Sequence, residues 1–211
     1  ISMIVDLIAY YKGMQQTDLI GKLGILVFII VLGYESISEA FEKIKEGQKA
    51  DFYKEMAVTD TMTGVYNRSA FQEWEHETSD YEGYSIATFD LNNLKWCNDN
   101  LGHAAGDAYI QASARIIKEI FGSHGKCYRI GGDEFCTVIN QKSKKFDNAR
   151  HVKQLRELEK YAEKELGIKG LNVQIACGYA EYDIKTDKNF EDTRSRADKK
   201  MYESKRRLKR E

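Results

Sequence analysis

Apolar positions along this chain follow three different rhythms, and each marks a different kind of element. Over residues 23–33 nearly every position is apolar, and Leu19 and Ile20 extend the run upstream around Lys22. Residues 1–11 are similarly apolar and aromatic, and a short polar loop over 12–18 is expected to join the two runs. A membrane helix needs ~20 such residues. Residues 1–34 therefore read as a membrane-spanning fragment, with a buried helical hairpin of a soluble input domain as the competing reading. A signal peptide does not fit, because a charged helix follows and no small-residue cleavage site does. Across 35–57 the rhythm becomes helical: Ile37, Phe41, Ile44, Phe52 and Met56 recur among Glu and Lys. That stripe, interrupted at Gln48, suits a signalling linker helix in a weak dimeric coiled coil, against a lone solvated helix.

From residue 58 onward short β-rich runs alternate with amphipathic ones. The pattern predicts a helix over 69–78, a strand over 84–90, a helix over 108–121, and a hairpin of strands 127–130 and 135–139. A charged helix over 147–166, a strand over 171–180 and a terminal helix from Phe190 complete the order. In the 171–180 strand, Val173, Ile175 and Cys177 alternate with Gln174 and Ala176, so one face is expected to be buried. The fold class expected for 58–211 is α+β, a mainly antiparallel sheet covered by helices, preceded by an N-terminal helical segment. At ~150 residues such a domain is ample for one core.

Composition narrows the picture only modestly. The formal net charge of −1 carries no basic excess that would point to nucleic acid. The four cysteines, Cys97, Cys127, Cys136 and Cys177, lack paired metal-ligand spacing and read as reduced packing thiols. Proline is absent, which removes the commonest linker marker. The last helix is strongly basic, and part of that charge suits phosphate.

The candidate chemistry starts at Gly131 and Gly132, which separate two β-rich runs and precede Asp133 and Glu134. A Gly-Gly pair there suits a tight hairpin turn with positive φ. Alternation along a strand would send Asp133 and Glu134 to opposite faces. If one of them met another carboxylate, the pair would bind a hard divalent cation through oxygen; an exposed acidic turn is the alternative. A second acid stands at Asp90, the end of the 84–90 strand, and Asn and Asp crowd the turn that follows.

Four ordered motifs now carry a resemblance. Gly131, Gly132, Asp133, Glu134 and Phe135 form the first, and Asp90, Lys95, Asn98, Asp99, Gly102, His103, Gly106 and Asp107 the second. Asp60, Thr63, Gly64, Asn67 and Arg68 form the third, and Ala197, Asp198, Met201, Tyr202 and Lys205 the fourth. Together they resemble the GGDEF family of diguanylate cyclases, which join two GTP molecules into cyclic di-GMP with release of pyrophosphate.

The resemblance implies the palm-like fold of class III nucleotide cyclases. It implies Mg²⁺, or Mn²⁺, held by Asp90, Asp133 and a backbone carbonyl near Leu91. Asp133, or failing it Glu134, would accept the proton of the attacking 3′-hydroxyl, and Lys95 would stabilise the charge that develops. Lys205 would neutralise the terminal phosphates, with Lys209 one helical turn on, while backbone N–H groups of 92–95 could cradle them. Asn98 and Asp107 would read guanine, with His103 in support; a helix N-cap is the alternative role for Asp107. One GTP per protomer implies a homodimer, tethered to the cell membrane with its catalytic domain in the cytoplasm, as in bacterial members.

Three positions depart from the family pattern. Asn92 stands where many members have a second Asp, lowering the charge at the metal site. Residues 122–125, Gly-Ser-His-Gly, replace the Arg-x-x-Asp of a product-inhibition site, so no feedback through that site is expected. Lys209 replaces an arginine and would lose bidentate phosphate contact. A catalytically degenerate module that binds GTP and serves regulation or dimerisation is the alternative function.

Overall fold

A computed structural model describes residues 7–8, 10–12, 19–141 and 146–210. The chain divides into two compact units, Ile1–Tyr53 and Lys54–Glu211. In the first, residues 7–8 and 10–12 are helical, and the polar loop expected over 12–18 lies, beyond Lys12, outside the described residues. The helix α1 (Leu19–Val58) absorbs both the apolar run and the charged linker expected after it. Its side chains from Leu26 to Ile30 are all at least half exposed. Among the described residues one stretch, Leu23–Gly47, is long and apolar enough to cross a membrane.

The second unit is a four-stranded antiparallel sheet in the order β2-β3-β1-β4, formed by β1 (Tyr84–Leu91), β2 (Gly125–Arg129), β3 (Glu134–Asn140) and β4 (Ile175–Glu181). Its helices are α2 (Arg68–Glu77), α3 (Leu94–Leu101), α4 (His103–Phe121), α5 (Asn148–Leu166) and α6 (Phe190–Leu208). One face of the sheet meets α4 and α5 through Phe89, Ile117, Phe121, Ile139 and Leu155. The other face meets α2 and α6 through Ile86, Phe71, Tyr128, Phe190 and Ala197. With both faces covered, β1 is buried along nearly its whole length, so its C-terminal end delivers a side chain into a sheltered place.

Three sequence expectations need correction. The 91–99 segment, expected as a turn, contains the helix α3, and α4 starts at His103 rather than Ala108. Asn93, at φ 63°, is the hinge between β1 and α3, and αL is a conformation Asn tolerates. The 171–180 strand is shorter than expected. Residues 171–174 are held by side chains instead of a ladder: Val173 N–H donates to Glu163 Oε1 at 2.7 Å and Gln174 N–H to the Tyr109 hydroxyl at 2.9 Å. Within β4 it is Ala176 that is fully buried while Cys177 is partly exposed, because α6 covers the face that alternation assigned to solvent. Gly178 permits that cover, since a Cβ there would overlap the Ala197 carbonyl and the Met201 amide and lie 2.8 Å from Met201 Cβ.

The turn before β3 is the third correction. Neither Gly131 nor Gly132 has positive φ. The Ile130 and Gly131 N–H groups both donate to the Glu134 carbonyl, at 2.9 and 3.2 Å, closing a longer turn than a two-residue hairpin. A Cβ on Gly131 would lie 2.8 Å from Glu134 Oε2, the far end of an exposed side chain that can shift aside. Asp133 falls in the turn, outside β3, so the alternation argument for opposite faces does not reach it.

Candidate functional site

Two clusters gather the residues singled out above. The first sits where β1 ends. Register pairs Asp90 with Glu134, and directly paired residues of an antiparallel ladder project to one face, so these two acids are neighbours. The next backbone link ties the turn to the same point, as Leu91 N–H donates to the Asp133 carbonyl at 3.0 Å. Asp90 is buried at 7% exposure, Asp133 half-buried and Glu134 exposed.

Lys205 reaches this cluster from α6. Its Nζ stands 2.6 Å from Asp90 Oδ1 and 2.7 Å from Oδ2, donating a hydrogen bond to Oδ2, while Oδ1 is buried and accepts none. Lys209 caps the same helix and is exposed. Asn92 follows on the other side, fully buried, its backbone N–H on the Gln174 carbonyl at 2.9 Å and its carbonyl receiving the Tyr109 hydroxyl at 2.9 Å. The Asn92 carboxamide itself has no protein partner.

The second cluster is the tight join of α3 and α4. Gly102 N–H donates to the Asn98 carbonyl at 3.1 Å, and the chain turns back so that the Asn98 carboxamide lies on Gly106. A Cβ on Gly106 would overlap Asn98 Oδ1 and come within 2.8 Å of its Cγ. The glycine thus makes room for the Asn98 carboxamide against α4, and Asp107, the next residue, is exposed in the second turn of that helix. Helix N-capping is removed as a role for Asp107, because α4 begins four residues earlier. Lys95 lies exposed in the first turn of α3, and His103 exposed at the first position of α4.

A third set of residues, legible only as motif letters in the sequence, holds the turn. Arg129 donates from Nε to the Gly131 carbonyl at 3.2 Å and from Nη2 to the Gly132 carbonyl at 2.8 Å. Its Nη1 pairs with Asp60 at 3.2 Å. Asp60 is fixed in turn by the Thr63 N–H at 2.9 Å and the Thr63 hydroxyl at 2.6 Å. Burial pushes the Asp60 carboxyl up, but Thr63 and Arg129 outweigh that and hold it below its ordinary range. Asn67 Nδ2 donates to the Ala57 carbonyl at 2.7 Å, in the last turn of α1, and Asn67 Oδ1 caps α2. Tyr66 also pairs with β2: its N–H donates to the Cys127 carbonyl and Arg129 N–H donates to the Tyr66 carbonyl. The available signal was Arg129 itself, a cation two residues before the glycines with an acid held elsewhere in a motif.

The donor set at Asp90 is all oxygen, which is the chemistry of a hard divalent cation. The buried carboxylate has the Lys205 ammonium 2.6–2.7 Å from both its oxygens, so it suits such an ion where the lysine moves aside. Burial pushes the Cys127 and Cys136 thiols up and Cys177 to about 12, away from the thiolate form.

Residues 57–211 match the family model described as diguanylate cyclase, GGDEF domain. The chain belongs to the GGDEF domain family. Diguanylate cyclase A of Treponema denticola is 34% identical over 128 residues, covering 59% of this chain and 33% of that protein. Cyclic di-GMP phosphodiesterase PdeB of Shewanella oneidensis is 35% identical over 128 residues, covering 58% of this chain and 15% of that protein. The chain thus spans less than half the length of these curated relatives. The coiled coil and GGDEF domain of DgcB from Caulobacter crescentus, solved with c-di-GMP, superposes with a TM-score of 0.67 at 22% identity, over 83% of this chain and 94% of that one. That likeness speaks for the fold: an antiparallel four-stranded GGDEF sheet packed by helices, with a helical segment before it.

Proposed function

We propose that this GGDEF domain is an active diguanylate cyclase that condenses two GTP molecules into cyclic di-GMP and releases pyrophosphate. The observation that carries the reading is the buried Asp90 at the end of the central strand, in register with Glu134 and beside the Asp133 turn. Asp90, the Leu91 carbonyl and the turn acid Asp133 would hold Mg²⁺, or Mn²⁺ in its stead. The ion, when bound, supplies Lewis-acid polarisation of the α-phosphoryl group and lowers the pKa of the 3′-hydroxyl.

The protein's own part is positioning and charge. Asp133 takes the 3′-hydroxyl proton. Lys95 offsets charge on the phosphoryl group in flight, and Lys205 and Lys209 neutralise the terminal phosphates. Asn98, seated on Gly106, and Asp107, the residue after it, bind the guanine edge, whose N1 and N2 donors suit a carboxylate, with His103 in support. Each domain holds one GTP, so catalysis takes two domains face to face in a homodimer. The linker of α1 serves pairing, and the Leu23–Gly47 stretch tethers the protein to the membrane with the domain in the cytoplasm.

The test is incubation of the chain with GTP and Mg²⁺, Asp90→Asn as control, and products identified by mass. Cyclic di-GMP from the wild type alone is the expected result. GTP binding without product at high protein concentration, even after enforced dimerisation, would replace the cyclase with the regulatory module.

A further inference from the structure

Asp90 already has a cation. The Lys205 ammonium lies within 2.7 Å of both carboxylate oxygens, and both side chains are withdrawn from solvent, at 25% and 9% exposure. The position of the lysine is not a free choice of a surface side chain. α6 is seated against β1 and β4, with Ala197 and Met201 backbone pressed onto Gly178, and Cys177 N–H donates to Ser204 Oγ, one residue before the lysine, at 3.5 Å. A buried carboxylate without a counter-charge is costly, and in the absence of substrate Lys205 is the counter-charge that Asp90 has.

A divalent cation needs those same oxygens. An ammonium 2.6–2.7 Å from both oxygens stands where a doubly charged ion would bind, and two cations crowded on one carboxylate repel strongly in a sheltered site. Metal binding at Asp90 therefore requires Lys205 to leave. The lysine has a flexible four-carbon stem and keeps partial exposure, so it can swing, but it leaves at low cost only when another anion receives it. A triphosphate is such an anion.

We infer that Lys205 is a built-in placeholder cation that makes Asp90 refuse a bare divalent ion and accept one only together with a polyphosphate. The inference rests on the reading of Asp90 as a metal ligand, and deepens it by fixing the order of loading. The lysine then has two partners in turn: the carboxylate in the empty site, and phosphate in the filled one. A site of this kind stays free of adventitious metal between turnovers.

Mn²⁺ alone, without nucleotide, is the probe, with free Mn²⁺ followed by electron paramagnetic resonance. The samples are the wild-type chain, Lys205→Met, Asp90→Asn, and the double variant. Lys205→Met is expected to bind Mn²⁺ at least about tenfold more tightly than wild type, and the double variant to lose that gain. If Lys205→Met binds no more tightly than wild type while Asp90→Asn still weakens binding, the placeholder is refuted and the metal site stands. If Asp90→Asn changes nothing in either background, the metal reading fails and the placeholder with it. Lys205→Gln, which keeps a donor toward Asp90 without the charge, gives the same comparison should the methionine variant not fold; a gain there of less than threefold would equally refute the inference.

Discussion

Replacing Asp187 by asparagine tests how α6, and with it Lys205, is fixed. Asp187 lies in the β4–α6 connection with its side chain 2% exposed. Its carboxylate receives Arg196 Nε at 3.1 Å, the Thr193 hydroxyl at 2.8 Å and the Asp183 N–H at 3.0 Å, besides an ion pair with the outer Arg196 nitrogen. Burial raises this carboxyl, yet the Arg196 hydrogen bond, the Asp183 amide, the Thr193 hydroxyl and the Arg196 charge outweigh burial and hold it at about 2, against an ordinary 3.8. A depressed folded-state value means stability that is present above the unfolded value and lost as pH falls through the folded one. At 1.36 kcal/mol per unit the linkage is worth ~2.5 kcal/mol at neutral pH, with roughly half remaining at about pH 3. Arg196 is 41% exposed, and solvent screening on that side brings the expectation nearer ~2 kcal/mol. Urea unfolding of the wild type and Asp187→Asn at a series of pH values measures the difference directly. A gap of ~2 kcal/mol at neutral pH that narrows only below about pH 4 is expected. A gap that stays constant down to about pH 3 would refute the charge argument, and one below ~0.5 kcal/mol at neutral pH would refute the clamp.

Gly106→Ala should leave folding intact or raise stability by up to ~1 kcal/mol, since alanine is the better helix former. It displaces the Asn98 carboxamide, so KM for GTP should rise tenfold or more; an unchanged KM would remove Asn98 from the base site. Gly178→Ala meets backbone on α6 and should cost about 3 kcal/mol or more, read as a lower urea midpoint. Arg129→Met takes the cation from Asp60 and two donors from the turn carbonyls, which should cost ~2–4 kcal/mol. Its kcat should fall more than its KM changes, and a variant with wild-type kcat would show that the turn needs no clamp.

Most of the domain was legible because its strands and longer helices are strongly periodic. β1, with its apolar run ending in Asp90, and α5, with its charged amphipathic face, lie close to where the pattern put them. α3 was not legible, because Leu94, Cys97 and Leu101 give it only a thin apolar side amid Asn and Asp, which also favour turns. The start of β4 failed for a different reason. Residues 171–174 have a strand's composition, but Glu163 and Tyr109, far away in sequence, supply the hydrogen bonds a neighbouring strand would have given. At the site, chemistry was legible and geometry was not: the letters named Asp90, Asp133 and Glu134, while the register that sets Glu134 across from Asp90 exists only in the folded sheet. Likewise no spacing rule links Lys205 to Asp90, 115 positions earlier.

Segment 59–66 closes the β2 border of the sheet, through the parallel bridge of Tyr66 to Tyr128 and the hydrogen bonds on either side of it. A shortened chain that began at α2 would therefore lose part of the sheet itself. It would leave the Cys127 carbonyl and the Arg129 N–H unpaired on an edge to which other chains can add, and would set Arg129 loose by removing Asp60. Insolubility and inactivity in such a fragment would share one origin, and returning residues 54–67 would cure both.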